Sequence, residues 1–507
     1  MLREHDRGRM GIFSSLNEDV LDSIVSRLRF RDALRLSETC QSLHRVSTDN
    51  AISDVYLTHP GQLDRFCAYM LADAQKRLPR LRRLEIIAQA LGIPDPDAGW
   101  SSTVVRSEHL VDVLKGASNL QYLDIECIQS LLNAIPCLSS VLRTAAFRSE
   151  SAGHVEDFLP RGSTHLHTLI LTGCGCEYDF ALPLRRIALG YLSSFSQLTR
   201  FECSTPDALD FEHPVTLSSV TRLAIGWGSD ASLIHIVSTF PNVRSLYITL
   251  VSWRYRGTLR LGDTLTAGQN TGFKCWKHLD ELRGTTTNLA GHIRCPVRAL
   301  HLLTSTTVEN FRNESDSVKH SAVPIVATSP LWLSLSTFTE PSTQLWRWLG
   351  SNAPRLRFLD VRLSDAGIGS SMDSWIEDVP PALHSSRLVC MRLRITDTCH
   401  AMPGFLDMDM PDIEEEDIMN ALPIRLAKSI PSLRYFGVGV GDKSYDVYAR
   451  SWRFVGKTSW WRVLRSERDD VRIEPISADV GERIIAYIDS AEFELSLEFD
   501  DSRFKSI

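Results

Sequence analysis

One short phrase recurs along most of the chain and constrains its fold more than any other feature of the sequence. Its six positions hold a hydrophobic residue, two variable residues, a large hydrophobic residue that is usually Leu, one variable residue and a further hydrophobic residue. Alternating apolar residues are found in any half-buried β-strand, so a single copy of the phrase is weak evidence. The recurrence of the phrase is what indicates a repeated structural unit. Ten copies begin at Leu81, Leu120, Leu166, Leu198, Val220, Val243, Val297, Leu356, Leu388 and Leu433, and an eleventh candidate begins at Leu184.

Helix-like stretches ending in a Pro-containing turn precede several copies, as in residues 68–79, 232–241 and 344–354. A repeated unit of helix, turn and short strand predicts an α/β solenoid, whose units bury their apolar faces on one another. A doubly wound sheet is the alternative, because strands and helices also alternate in it. The solenoid is favoured, since an open sheet does not require its strands to share one phrase.

The phrase resembles the leucine-rich repeat, L-x-x-L-x-L-x-x-N/C-x-L. Only the copy at Leu166 has the expected ninth-position residue, Cys174. Successive copies start 39 residues apart from Leu81 to Leu120 but 22 apart from Leu198 to Val220, which scatters around the ~20–29-residue period of these repeats. The gap between residues 302 and 356 must therefore hold insertions or unrecognised units.

Residues 15–28 predict an amphipathic helix with Asn17 as its N-cap, because acidic residues follow Asn17 and apolar residues recur at helical spacing. Asp32 is the predicted cap of a second helix. The apolar residues of the two helices are Leu21, Ile24, Val25, Leu28, Leu36, Cys40 and Leu43. Two such helices cannot bury all their apolar surface alone. One interpretation is a capping element packed on the solenoid.

The spacing of Leu16, Asp19, Leu21, Ile24, Leu28, Asp32, Leu34, Cys40 and Leu43 also resembles the F-box. Asn17 stands where that family usually has Pro, and Leu43 where it commonly has Trp. The resemblance implies that the helices dock in a hydrophobic groove on the adaptor of a cullin–RING ubiquitin ligase. The implied adaptor-binding residues are Leu16, Asn17, Val20, Leu21, Ile24, Leu28, Leu34, Cys40 and Leu43.

The same resemblance implies a non-catalytic function: the substrate-recognition subunit of an SCF-type ubiquitin ligase, whose repeats bind the protein to be ubiquitinated. The alternative is a leucine-rich-repeat scaffold with no ligase association. Variable positions of the repeat strands face outward and give the candidate substrate-binding residues. These candidates are Arg83, Glu85, Tyr122, Asp124, Tyr247, His301, Phe358, Asp360, Arg392 and Tyr435.

The predicted fold class is α/β, with an N-terminal F-box helical motif, a leucine-rich-repeat-like solenoid and a small β-rich cap. The predicted segments are a flexible N-terminus at 1–12, the F-box at 13–50, connecting helices at 51–77, the solenoid at 78–440 and the cap at 441–507. Aromatic residues at 445–461 predict the β-rich part of the cap, and residues 478–490 predict one amphipathic helix in it. The alternating glycines of residues 437–442 predict a turn.

Other functions find little support in the sequence. With 55 Lys+Arg against 62 Asp+Glu, the net charge of −7 argues against non-specific nucleic-acid binding. The basic cluster at 76–83 and the acidic run at 407–417 are both interpreted as solvated segments. The eleven cysteines are scattered and no C-x-x-C occurs, so we expect no metal, no cofactor and reduced thiols in a cytoplasmic or nuclear protein. No catalytic motif, signal peptide or membrane span is predicted.

Overall fold

A computed structural model describes most of the chain. The described residues are 17–25, 28, 30–39, 41–59, 61–87, 90, 108–126, 142–148, 165–172, 187–203, 209–210, 215–227, 233–250, 276–285, 289, 293–305, 322–338, 343–365, 371–397, 415–446, 451–466 and 470–504. They form two compact units, Met1–Asn242 and Val243–Ile507. The predicted flexible segment 1–12 lies outside the described residues, as do residues 407–414 of the acidic run.

Unit 1 begins with three helices and continues into a parallel sheet. Its helices are α1 (Glu18–Val25), α2 (Phe30–Ser37), α3 (Gln41–Ser53), α4 (Gln62–Ala72), α5 (Ala74–Arg77), α6 (Glu108–Gly116), α7 (Leu189–Leu192) and α8 (Leu233–Thr239), with a 3₁₀ turn at Leu78–Arg80. Its main strands are β1 (Asp54–Leu57), β2 (Arg83–Ile86), β3 (Tyr122–Glu126), β4 (Thr144–Arg148), β5 (Thr168–Thr172), β7 (Arg200–Cys203) and β9 (Arg222–Trp227). A separate two-stranded sheet pairs β6 (Ile187–Ala188) with β8 (Leu209–Asp210).

Unit 2 contains a parallel sheet that ends in an antiparallel hairpin and a third strand. Its strands are β10 (Ser245–Leu250), β11 (Leu279–Gly284), β12 (Val297–Ser305), β13 (Trp332–Phe338), β14 (Phe358–Asp365), β15 (Cys390–Asp397), β16 (Tyr435–Asp446), β17 (Ser451–Arg465) and β18 (Val471–Ile476). Its helices are α9 (322–328), α10 (Thr343–Asn352), α11 (Ser371–Ala382), α12 (Glu415–Ser429), α13 (Ala478–Ile488) and α14 (Ala491–Ser496), followed by a 3₁₀ turn at Asp501–Phe504.

Within each unit the strand order follows the chain order, and the strands from β1 to β9 and from β10 to β16 are parallel. A doubly wound sheet would instead reverse its order at a switch point. Within each unit, the register places the fourth position of every phrase copy in one buried row. In unit 1 that row is Val55, Leu84, Leu123, Ala145, Leu169, Phe201 and Leu223, and in unit 2 it is Leu246, Leu282, Leu300, Leu333, Leu359, Met391 and Phe436.

All ten phrase copies lie on strands, and the parallel part of the sheet contains four further strands that the phrase missed. Three of these, β4, β11 and β13, carry Ala, Gly or Pro at a position where the phrase requires a larger apolar residue. The fourth, β1, lies where residues 51–77 predicted only connecting helices. The eleventh candidate at Leu184 is wrong, because its strand β6 is two residues long and belongs to the separate sheet.

A polar side chain just before the phrase ties several successive strands together. Asn119 donates its side-chain N–H to the carbonyl of Pro79 at 2.7 Å, and Asn242 donates to Ser218 at 2.8 Å. In unit 2 the Ser432 hydroxyl donates to the carbonyl of Ser386 at 2.9 Å. Each acceptor lies two residues before the preceding copy, so these bonds satisfy backbone carbonyls that the strands leave free.

The predicted turn at residues 437–442 is wrong, because the glycines lie inside strand β16. Trp460 on β17 faces Gly437, and a Cβ on that glycine would lie 2.8 Å from the indole ring. A Cβ on Gly481 of α13 would approach the same ring to 2.4 Å. The two glycines therefore leave the space into which the buried indole fits. Helix α13 confirms the amphipathic helix predicted at 478–490, and the side chain of Ser477 caps it by accepting the N–H of Val480.

Candidate functional site

Helix α1 divides its apolar residues between two sides. Leu21 and Val25 are buried, and Val25 packs in a small core with residues of α2 and α3. Val20 and Ile24, one helical turn apart, remain 44% and 42% exposed. An exposed apolar pair on a short helix is a surface that a groove in another protein can cover.

The path of the chain around α1 explains this division. Asn17 directly precedes the helix, and its carbonyl accepts the N–H groups of Val20 and Leu21 at 3.0 Å each. The side chain of Asn50 on α3 donates to the carbonyl of Val25 at 2.8 Å and holds the end of α1 against α3. That contact keeps one side of α1 on the core and leaves the other side exposed.

Several predicted adaptor-binding residues are core residues instead. Leu21 and Leu43 are buried within unit 1, so the prediction that they contact an adaptor directly is wrong for the structure of the chain alone. Leu28 is half-buried and packs against the same small core. Leu16, Cys40 and the side chain of Leu34 lie outside what the structure describes.

The second predicted helix is in fact two. Helix α2 ends at Ser37 because the Thr39 hydroxyl donates to the carbonyl of Leu36 at 2.7 Å, and the N–H groups of Glu38 and Thr39 close a tight turn. Asp32 lies inside the first turn of α2, which starts at Phe30, so it is three residues past the cap position and its predicted place as the cap is wrong. Three short helices therefore replace the two predicted from the sequence.

Comparison with known protein families finds a match in this region of the chain. Residues 13–52 match the F-box domain. The chain carries an F-box. This domain binds the adaptor of SCF-type ubiquitin ligases, and Val20 and Ile24 are its exposed apolar residues on α1. No curated protein shows significant similarity to the chain.

A short loop-free connection joins the F-box to the sheet. Helix α3 ends at Ser53 and strand β1 starts at Asp54, so no linker separates them. The carbonyl of Ser53 accepts the N–H of Arg82 at 2.9 Å, and β1 pairs with β2 in parallel. The F-box is therefore continuous with the first strand of unit 1.

The predicted substrate-binding residues of unit 1 form one local cluster. Arg83 on β2 donates from Nε to Glu85 at 2.9 Å, and its guanidinium lies 4.1 Å from the centre of the Tyr122 ring on β3. Asp54 on β1 lies 3.6 Å from Arg83. Glu85 and Asp124 are buried, so the prediction that their side chains are freely exposed is wrong. Packing between neighbouring strands covers them.

In unit 2 the predicted residues Tyr247 and His301 lie in one row, with Arg283 between them. The carboxylate of Glu281 organises this row. It accepts from Arg283 Nε at 2.6 Å and from the Ser245 hydroxyl at 3.0 Å, and it lies 3.3 Å from His301 Nε2. Burial would raise the pKa of Glu281, but the hydrogen bonds and charges of His301 and Arg283 outweigh it and lower the pKa to about 2.

Asp360 and Arg392, both predicted as substrate-binding, form a buried network with each other. Arg392 donates from Nε to Asp360 at 3.0 Å, the Ser334 hydroxyl donates to it at 3.1 Å, and Arg394 donates to the same carboxylate. Burial would raise the pKa of Asp360, but the charges of Arg392 and Arg394 lower it to about 2. Asp360 has no exposed surface to offer a ligand, so its prediction as a contact residue is wrong.

Phe358 and Tyr435 were also predicted to face a target, and the structure buries both. They lie in a core cluster with apolar residues of α13 and of the last turns of the chain. The Tyr435 hydroxyl donates to Asp501 at 3.0 Å, and burial together with the charge of Asp501 raises the pKa of Tyr435. The C-terminal residues 478–504 thus occupy the face of β13–β16, which the sequence did not reveal.

Among the described residues, no group of three or more His, Cys, Asp or Glu side chains could hold a metal ion. The free cysteines within the described part of the chain, Cys67, Cys203, Cys295 and Cys390, are buried, and burial raises the pKa of Cys67 to about 12. No helix in the described ranges is long and apolar enough to cross a membrane.

Proposed function

We propose that the chain is the substrate-recognition subunit of an SCF-type ubiquitin ligase. The observation that carries the proposal is the F-box at residues 13–52 with Val20 and Ile24 exposed side by side on α1. In this function the F-box docks on the adaptor and the remaining chain binds the protein to be ubiquitinated. The chain itself performs no chemical step.

The exposed pair supplies a modest driving force for docking. Fully burying a Val or Ile side chain is worth about 1.5–3 kcal/mol, so covering the exposed part of each contributes about 1 kcal/mol. The rest of the binding free energy must come from shape complementarity and polar contacts. A charge on this pair is far more disruptive, because an unpaired carboxylate in an apolar groove costs several kcal/mol.

The direct junction between α3 and β1 supports a receptor rather than a loosely tethered domain. Without a linker, the strands of unit 1 keep a fixed position relative to the F-box. A target held on such strands has a high effective concentration near a ligase that is bound at the F-box. A flexible connection would lower this effective concentration.

We further propose that the parallel strands are repeats of the leucine-rich type. Support comes from the ten phrase copies, the parallel pairing of the strands in chain order and the polar side chains that bridge successive turns. Each strand buries its first, fourth and sixth phrase residues against its neighbours, as stacked repeats do. Two features of the sequence remain unlike typical repeats, namely the uneven spacing and the missing Asn/Cys ladder.

Purification of the full chain with its partners tests the proposal. The variant Val20→Asp with Ile24→Asp removes the apolar pair without touching the buried core. We expect at least about a 100-fold loss of adaptor affinity, since this corresponds to about 2.7 kcal/mol. The matched control, Val326→Asp with Val455→Asp, places the same changes on two exposed residues of unit 2 and should leave adaptor binding intact.

Two results would reject the ligase function. Adaptor binding that survives the change at Val20 and Ile24 would show that α1 is not the docking surface. Absence of adaptor and cullin from the wild-type chain, with other proteins retained, would favour a repeat scaffold without ligase association.

A further inference from the structure

Strands β14 and β15 each carry an arginine directly after the phrase. The register aligns Ser336 of β13, Arg362 of β14, Arg394 of β15 and Gly439 of β16 in one row. Neighbouring strands of a sheet are ~4.8 Å apart, so the two arginines start side by side, with a small residue on either side of them. We call Arg362 and Arg394 the arginine pair.

The arginine pair lies on the face of the sheet that carries Asp360 and Arg392, because residues two apart on a strand point to the same side. The Asp360 carboxylate accepts hydrogen bonds from both Arg392 and Arg394. Among the described residues no salt bridge joins Arg362 to an acidic side chain. Three guanidinium groups therefore share one buried carboxylate.

Two donor atoms of the arginine pair are buried without an acceptor. They are the Nε atoms of Arg362 and Arg394, and neither makes a hydrogen bond within the part of the chain that the structure describes. Native proteins satisfy nearly all buried donors, because a buried donor without an acceptor costs free energy. Burial and the charges of Arg392 and Arg362 outweigh the attraction of Asp360 and lower the pKa of Arg394 to about 10. Positive charge is thus in excess around the pair.

Neighbouring side chains border the arginine pair on two sides. On β17, the Thr458 hydroxyl and the Phe454 ring lie 2.8 Å and 3.0 Å from the place that a Cβ on Gly439 would occupy, so they close one end of the row. Towards the strand starts, Arg392 lies 3.6 Å from Glu482 of α13, whose side chain is 60% exposed. This carboxylate therefore acts on Arg392 and offsets the excess charge only in part.

We propose that the arginine pair binds the phosphate group of a small free molecule. Phosphate oxygens would accept the two buried Nε–H groups, and the negative charge would balance the excess of arginine. The site is separate from the ligase function, because its residues all lie in unit 2 and none belongs to the F-box.

Phosphate suits this arrangement better than a carboxylate does. A guanidinium group binds phosphate through two parallel N–H···O bonds, and a tetrahedral phosphate has oxygens for two guanidinium groups at once. Three arginines and the single carboxylate of Asp360 leave an excess of two positive charges. A phosphate monoester carries about −1.5 to −2 charges at pH 7, whereas a carboxylate carries only one.

Isothermal titration calorimetry of the full chain with inorganic phosphate, at constant ionic strength, tests the proposal. We expect saturable binding of one phosphate per chain. The melting temperature should rise over the same range of phosphate concentration, because a ligand that binds the folded chain stabilises it. Acetate at the same concentrations should give neither signal.

The variant Arg362→Gln locates the site. This variant should melt no lower than the wild type in phosphate-free buffer, because the change removes a charge that repels Arg392 and Arg394 and breaks no ion pair. It should bind phosphate at least about tenfold more weakly, as expected for the loss of charge-assisted hydrogen bonds. The control Arg472→Gln makes the same change of charge on an exposed residue of β18 and should alter the affinity by less than about twofold.

Four results would overturn the proposal. They are the absence of saturable phosphate binding to the wild type, equal weakening in the two variants, and acetate binding as tight as that of phosphate. The fourth is a phosphoserine peptide that binds where inorganic phosphate does not, which would indicate a protein-docking surface instead. None of these results bears on adaptor binding at Val20 and Ile24, so the ligase function is tested separately.

Discussion

The two units share one phrase, one strand register and one set of buried rows, yet their sheet faces differ. In unit 2 the third phrase position holds Trp332, Phe358, Cys390 and Tyr435, and residues 478–504 pack over these side chains. In unit 1 the same position holds Arg83, Tyr122, Thr144, Thr168 and Arg200. An apolar third position demands a cover, because exposed aromatic rings are unfavourable in water.

Equivalent strands of the two units therefore contribute differently to stability. The covered face of unit 2 contributes stability, since its ring pairs and ion pairs are satisfied within the chain. In unit 1 the third-position side chains Arg83 and Arg200 pair with Glu85 and Glu202 on their own strands and stay partly exposed. Substitutions should therefore be costly for folding in unit 2 and nearly neutral for folding in unit 1.

Removal of the cover should have the largest effect. A chain that ends at Ser477 would expose Phe358, Tyr435 and Trp460 together, which are among the most fully buried side chains. Each large core side chain is worth about 3–5 kcal/mol, so the loss approaches the whole stability of an ordinary domain. We expect little soluble protein and strong binding of a hydrophobic dye. A chain that ends at Phe504 is the control, and a soluble, unchanged truncation at Ser477 would contradict the assignment.

Loss of the buried carboxylate in unit 2 should come next. Asp360→Asn removes the buried carboxylate that Arg392 and Arg394 share and leaves only the more exposed Glu482, 3.6 Å from Arg392, as a nearby acidic partner, so we expect a loss of about 3 kcal/mol. Urea denaturation should show this loss. Glu202→Gln, which removes the partner of Arg200 on the more exposed face of unit 1, should cost less than about 1 kcal/mol. Equal losses of unfolding free energy in the two variants would contradict the proposed difference between the two sheet faces.

Acid should also destabilise the protein through this carboxylate, in addition to Glu281, whose pKa is lowered to a similar value. The pKa of Asp360 is lowered to about 2, whereas an unfolded Asp titrates near pH 3.9. Its stabilisation is therefore complete above about pH 4 and is lost as the pH falls towards about 2. Denaturation curves across that range should be less steep in pH for Asp360→Asn than for the wild type. An identical pH dependence in both would show that Asp360 is not protonated within this range.

The smallest effect should distinguish two equivalent arginines. Arg298→Ala removes the partner of Asp489 and should cost about 1 kcal/mol. Arg82→Ala, at the same phrase position in unit 1, should change the free energy of unfolding by less than about 0.5 kcal/mol. Thermal denaturation of both variants makes the comparison. A larger loss at Arg82 would mean that this side chain is engaged within the chain and is not available to a partner.

Much of this architecture follows from the sequence, and the failures have physical causes. The phrase located ten strands, because large apolar residues at two-residue spacing mark a buried strand face. The phrase missed β4 and β11, where Ala145 and Gly284 lie in the buried rows. A small residue can occupy a buried position in a strand, but it does not match a pattern that requires large apolar residues. Strand β1 was missed because it follows α3 without a break and is only four residues long.

For the candidate sites, too, the sequence predicted local structure but not the contacts between distant segments. Helical spacing identified α1 but could not decide which apolar residues face the core, since Leu21 and Ile24 fit the pattern equally well. The strand pattern gave the orientation of Phe358, Asp360 and Tyr435 but not the segment that covers them. That segment starts at Ala478, far along the chain from β14, which ends at Asp365, and no local pattern reports such a contact.

Hydrogen exchange of the full chain with and without purified ligase adaptor tests the central claim most directly. We predict slower exchange in α1 on adaptor binding, concentrated at residues 18–25, with little change in β10–β18. The same protection should vanish in the variant Val20→Asp with Ile24→Asp. Protection of unit 2 strands with α1 unchanged, or protection that persists in the variant, would contradict docking through the F-box.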